Sequence, residues 1–206
     1  HGACISEVAL ELSNLAPSIC VSIKRGADRS SYLFECSDIN TKRTCRFGLY
    51  VKYSRKRLSP WSYSYEKEHQ LQLENIATDM GDVFSVFING EDGYACIDYR
   101  ELREILDAHF DEVEWVRVQR KLRESYRISG TDGARERPLA QNAFPQKIIE
   151  HVSREILRTD SESRAEHAPE LHVNTHKDSM LKTDIRPESG SNETLGIKGL
   201  FRRWLD

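Results

Sequence analysis

The chain has 206 residues, 31% of them charged and 38% hydrophobic, and a net charge of −3. That length holds one ordinary domain with a sizeable core, plus something extra. The charge excludes strong global attraction to nucleic acid, and no apolar run approaches the roughly 20 residues needed to span a bilayer.

Five cysteines (Cys4, Cys20, Cys36, Cys45 and Cys96) are odd in number and form no C-x-x-C pair. That argues against a disulfide framework or a zinc ribbon and for a reducing, intracellular setting, the cytoplasm. The opening HGACISEVAL lacks a basic region followed by a long apolar core, so no secretory signal is expected.

Residues 4 to 15 predict a helix, because Ile5, Val8, Ala9, Leu12 and Leu15 form one apolar stripe and Pro17 follows. Glu7 and Glu11 lie on its polar side, Glu11 nearer the buried edge. Ile19 to Lys24 alternates as a strand, Gly26-Ala27-Asp28 marks a turn, and Ser31 to Cys36 is the partner strand. From Phe47 to Tyr53 the residues alternate again. Phe47, Leu49, Val51 and Tyr53 fall on one face, Gly48, Tyr50 and Lys52 on the other, the period of a half-buried strand.

A basic loop follows, Arg55-Lys56-Arg57, then Leu58-Ser59-Pro60-Trp61, where proline stops the ladder. Ser64 is the expected cap of a helix that carries His69, Leu73, Ile76 and Met80 on one face and stops at Gly81. Val83 to Ile88 is almost continuously apolar, which predicts a strand covered on both faces. Strand, helix and buried strand make a βαβ unit. Next come a hairpin loop at 89–93, a short strand from Tyr94 to Ile97, and a capping-box start at Asp98 and Glu101. Leu102, Ile105, Leu106 and His109 then line one helix face. Val113 to Val118 and Ser125 to Ile128 predict a further strand pair, and Pro145 opens a last helix with Ile148, Ile149, Val152 and Ile156 inward.

From about Thr159 the composition turns to Ser, Glu, His, Asp and Lys without a period, which predicts a disordered linker over 159–193. Its His167, His172 and His176 read as solvated tail residues, since a zinc site needs a closed ligand set. Residues 194–206 differ again. Leu200, Phe201, Trp204 and Leu205 beside Lys198, Arg202 and Arg203 read as a docking motif for a protein partner. The expected architecture is an α/β core over 1–158, with a mixed central sheet and flanking helices, followed by a tether and a terminal interaction motif.

Chemistry concentrates around the third strand. Between Lys42 and Arg57 there are seven basic residues (Lys42, Arg43, Arg46, Lys52, Arg55, Lys56, Arg57) and no acid. With Trp61, Tyr63 and Tyr65 close behind, this combines phosphate-seeking charge with rings on which bases can stack. The competing reading packs those rings on the core and leaves the charges as a solvated edge.

The order helix, three strands with a lysine on the third, helix and strand resembles the restriction-endonuclease-like PD-(D/E)XK nuclease superfamily, over roughly residues 4 to 90 and by layout. The resemblance implies a nuclease-like core in which carboxylates bind Mg²⁺ and a lysine helps activate the attacking water. It implies Lys52 as the lysine, Glu11 as the helical glutamate, and Glu35 or Asp38 as the second-strand acid. The glutamate expected two residues before the lysine is Tyr50, so Asp38 or Glu66 would have to substitute. Two functions follow. The first is a DNA- or RNA-binding protein, either a Mg²⁺-dependent nuclease or its inactive relative. The second is a non-catalytic adaptor that uses the C-terminal peptide.

Overall fold

The computed structural model describes residues 1–109 and 112–157. The linker and the terminal motif, with Leu200, Phe201, Trp204 and Leu205, lie outside the described residues.

The elements run α1 (Gly2–Asn14), β1 (Ile19–Arg25), β2 (Ser31–Asp38), β3 (Thr44–Ser54), β4 (Trp61–Tyr65), α2 (Lys67–Met80), β5 (Asp82–Asn89), β6 (Tyr94–Asp98), α3 (Tyr99–Arg103), β7 (Glu114–Gln119), β8 (Arg127–Ser129) and α4 (Ala143–Leu157). A mixed five-stranded sheet has the order β1-β2-β3-β5-β6. Only the β3–β5 pair is parallel, as the βαβ reading requires. A second sheet, β4-β7-β8, is antiparallel throughout.

Two apolar clusters lie on opposite faces of the large sheet. On one, Cys4, Val8 and Leu12 of α1 and Ile148, Val152 and Ile156 of α4 pack with Phe34, Phe47, Leu49 and Val51. On the other, Tyr50, Phe87 and Ile97 meet Leu73 and Ile76 of α2 and the rings of Trp61, Tyr63 and Tyr65. Strand β3 is therefore covered on both sides rather than half-buried, although the division of its residues between faces is as the alternation predicts. Gly48 permits the close approach of α2: a Cβ there would lie 2.2 Å from Ile76 Cγ2.

Three further local expectations need correction. Residues 61–65 are a strand, and the cap of α2 is Glu66, whose carboxylate takes the His69 amide while His69 reaches back to the Glu66 amide. Ser64 lies inside β4, because the alternation of Trp61, Tyr63 and Tyr65 buries three large rings at once and outweighs a hydroxyl cap. His69 is half-buried, but His109 lies beyond the short α3 and is exposed. All five cysteines are free thiols, and no helix among the described residues is long and apolar enough to cross a membrane.

Candidate nucleic-acid interface at the Lys52 end of the sheet

Pairing register decides which side chains share a site. Ser31, the first residue of β2, lies opposite Tyr50, while Glu35 lies opposite Arg46. At about 3.3 Å of rise per residue, the six steps from Arg46 to Lys52 span roughly 20 Å. The seven basic residues are thus split between the two ends of β3. Lys42, Arg43 and Arg46 belong to one end; Lys52, Arg55, Lys56 and Arg57 belong to the other. The register adds Arg29 to the Lys52 end, because the β1–β2 turn lies there, whereas Arg25 is level with Leu49 and Lys24 with Gly48, part-way along β3. Arg29 is exposed, as are Arg55, Lys56 and Arg57. The sequence reading missed it because that turn is brought to this end of β3 only through strand pairing.

The same geometry separates the expected carboxylates from the lysine. Glu35 and Asp38 lie at the far end of β2, Glu35 as the cross-strand neighbour of Arg46. Asp38 serves its own turn, accepting from Asn40 N at 3.1 Å and from Thr41 Oγ1 at 2.7 Å. The Thr41 hydroxyl, with Ser18 and the turn amides, holds its carboxyl down at about 2. Glu11 is exposed on α1, which packs on the Phe47 face, whereas Lys52 projects from the opposite one. None of the three accompanies Lys52.

Two other acids do. Asp28 closes the β1–β2 turn, its Oδ1 accepting from the amides of Ser30 and Ser31 at 2.7 Å each. Its Oδ2 accepts from the Tyr50 hydroxyl at 3.3 Å. Glu66 stands at the N-terminus of α2, and both carboxylates act electrostatically on Lys52. The Lys52 ammonium is half-buried. It donates to Ser64 O at 2.8 Å, lies 3.1 Å from His69 Nδ1, and sits 4.7 Å from the centroid of the Tyr65 ring. Burial pulls Lys52 down to about 8, against the opposing pull of Asp28 and Glu66. His69 is also lowered, first by burial and then by Lys52. Its Nδ1 accepts from the Glu66 amide at 3.1 Å, so that nitrogen carries no proton and the ring is neutral. The Tyr50 hydroxyl thus lies in the midst of these groups, two residues before the lysine.

The aromatic part of the expectation is overturned. Trp61 is 1% exposed and donates its indole N–H to Lys56 O at 2.7 Å; Tyr63 and Tyr65 are equally buried. These rings offer no face for a base. Trp61 instead anchors the basic loop through that bond, while the Tyr63 hydroxyl donates to Ile88 O and Asn89 Oδ1 on β5. Gly90, at φ +60°, completes the clamp: a Cβ there would lie 2.8 Å from Lys56 O. Arg57 makes a long, solvent-exposed ion pair with Glu91 at 3.9 Å, an arrangement of little energetic weight.

Among the described residues, one group of three acids has ligand atoms close enough for a metal: Asp107, Glu114 and Asp132. Their oxygens are already engaged. Glu114 accepts from Gln70 Nε2 and from the Asp107 amide, which also donates to Asp132 at 3.0 Å. The knot ties the chain after α3 to β7 and to the loop after β8.

No protein-family model, curated protein or solved structure matches this chain.

Proposed function

We propose that this chain, in an intracellular setting, binds nucleic acid through the Lys52 end of its large sheet, on a nuclease-like α/β scaffold. The observation that carries the reading is the placing of exposed Arg29, Arg55, Lys56 and Arg57, drawn from two loops, at the strand end that carries Lys52. Phosphate contacts of this type position a backbone without reading its sequence. The basic loop is held by Trp61 and Gly90, so its charges need little ordering on binding.

A second reading, cleavage of the bound phosphodiester with a divalent metal, is favoured by two carboxylates, Asp28 and Glu66, that act electrostatically on Lys52. Two carboxylates are what Mg²⁺ commonly takes from a protein when phosphate and water complete its shell. Asp28 and Glu66 would hold the ion, which would supply charge neutralisation at the phosphate. With its ammonium lowered to about 8, Lys52 is poised to exchange a proton near neutral pH.

The test is binding and cleavage of labelled single-stranded, duplex and branched DNA and of RNA by the full chain. Mg²⁺ or Mn²⁺ is added or withheld, and each assay runs over a salt series. Salt-steep binding supports the first reading. Metal-dependent cleavage lost in Lys52→Met supports the second. No binding to any of these at low salt overturns both, and leaves the adaptor function expected of residues 194–206.

A further inference from the structure

The second sheet has a solvent face that neither the Lys52 site nor the core uses. Its strands alternate without interruption: Trp61, Tyr63, Tyr65, Val116, Val118 and Ile128 point into the core. Ser62 and Ser64 on β4, Trp115, Arg117 and Gln119 on β7, and Arg127 on β8 point outward and are exposed. The outward positions of these strands hold no carboxylate. They hold two guanidinium groups, an amide, hydroxyls and one indole.

Register makes this one surface. Trp115 pairs with Ser64, Arg117 with both Ser62 and Ser129, and Gln119 with Arg127. The Arg117 guanidinium lies 5.1 Å from the Trp115 ring centroid, and the amide beneath that ring donates to Thr131 Oγ1 at 3.0 Å. The indole is held at the surface and remains 38% exposed, unlike the 1% of Trp61. The face also adjoins the Lys52 site directly, because the carbonyl that receives the Lys52 ammonium belongs to Ser64.

We infer that this face is a platform for a single-stranded nucleic acid, with Trp115 stacking on a base and Arg117 and Arg127 taking phosphates. The inference rests on the nucleic-acid reading above and names the form of its ligand. A sheet face with one exposed ring beside a cation, and a second cation farther along, suits unpaired bases, whose faces are accessible, and not a closed duplex, whose bases are stacked on one another. With two guanidinium groups and no carboxylate among its outward residues, the face is complementary to a polyanion.

The experiment measures binding of fluorescein-labelled dT12, rU12 and a 12-base-pair duplex to the full chain by anisotropy, over a sodium chloride series. Wild type, Trp115→Ala, Trp115→Phe, Arg117→Gln/Arg127→Gln and Arg55→Gln/Lys56→Gln/Arg57→Gln are compared, with melting temperatures as a control on folding. Trp115→Ala should weaken single-strand binding by about tenfold and Trp115→Phe should restore most of it. Arg117→Gln/Arg127→Gln should make the single-strand salt slope shallower by about 1.4. Comparing dT12 with rU12 assigns the strand to DNA or RNA. The inference is overturned if the Trp115 and Arg117/Arg127 variants bind single strands as wild type does while the Arg55-Lys56-Arg57 variant does not; the broader reading then stands. A wild-type preference for the duplex also overturns it. Absence of binding to all three probes overturns both.

Discussion

Each end of the large sheet carries a turn built on an aspartate, and the two turns differ in what their second oxygen does. At one end Asp38 binds its own turn, at Asn40 and Thr41, and the side chain of Ser18 just before β1. At the other, Asp28 satisfies Ser30 and Ser31 with Oδ1 and turns Oδ2 toward Tyr50, on a neighbouring strand. The surrounding charges differ in the same sense. Arg46 faces Glu35 across a strand pair, whereas the Asp28 end gathers cations from two loops around Lys52. An acid whose partners are neutral turn groups and a serine is a structural part. One that reaches across to another element, beside a desolvated lysine, belongs to a site.

This contrast can be broken by substitution. Under the cleavage reading, Lys52→Met lowers the metal-dependent rate by about 10²–10⁴-fold, while Glu35→Gln at the far end leaves it unchanged. Gel-based time courses would separate the two. Next in size is an effect on titration. Asp28 opposes the fall of the Lys52 ammonium, so Asp28→Asn should carry its midpoint below about 8, and Glu35→Gln should not move it. Nitrogen-detected NMR of the lysine side chains reads this directly.

Stability against pH sharpens the same comparison. The folded-state pKa of Asp38 is depressed from 3.8 to about 2, so its contribution is present above about pH 4 and is lost as pH falls through 2. Acid unfolding of wild type should therefore steepen between those values, and Asp38→Asn should lose that part of the slope without losing nucleic-acid binding. Lys52 has the opposite sense. Its folded pKa of about 8 lies below the ordinary lysine value of 10.5, so the unfolded chain binds more protons between them. Its contribution to stability rises with pH across that window. Lys52→Met should gain most in melting temperature at neutral pH, and the gain should shrink toward pH 10.5.

Much of the fold was legible in the residues. Alternation at 47–53 and the continuous apolar run at 83–88 gave the two parallel strands, and Gly81 ended the helix between them. The same period-two signal was present in Trp61, Tyr63 and Tyr65, but Pro60 and the hydroxyl of Ser64 competed with it. Burial of three rings prevailed over a local cap. The site was less legible, for a physical reason. Seven cations within 16 residues of sequence are spread by the rise of an extended strand, while Asp28, 24 residues before Lys52, is brought near only by the β2–β3 register. Lys52 was named from its place on the third strand, as the nuclease resemblance implies; Asp28 was read as a turn, which it also is. Trp115 lay in a correctly expected strand, and its exposure follows from a sheet whose third member, β4, was not expected.

The most direct test is to neutralise the two ends in turn and measure binding to a labelled oligonucleotide over a salt series. The Arg55→Gln/Lys56→Gln/Arg57→Gln variant should bind more weakly, with a salt slope shallower by about 2 to 3, and Lys42→Gln/Arg43→Gln/Arg46→Gln should match wild type. Equal losses from both ends, or a larger loss from the Lys42 end, would contradict the assignment of the interface to the Lys52 end.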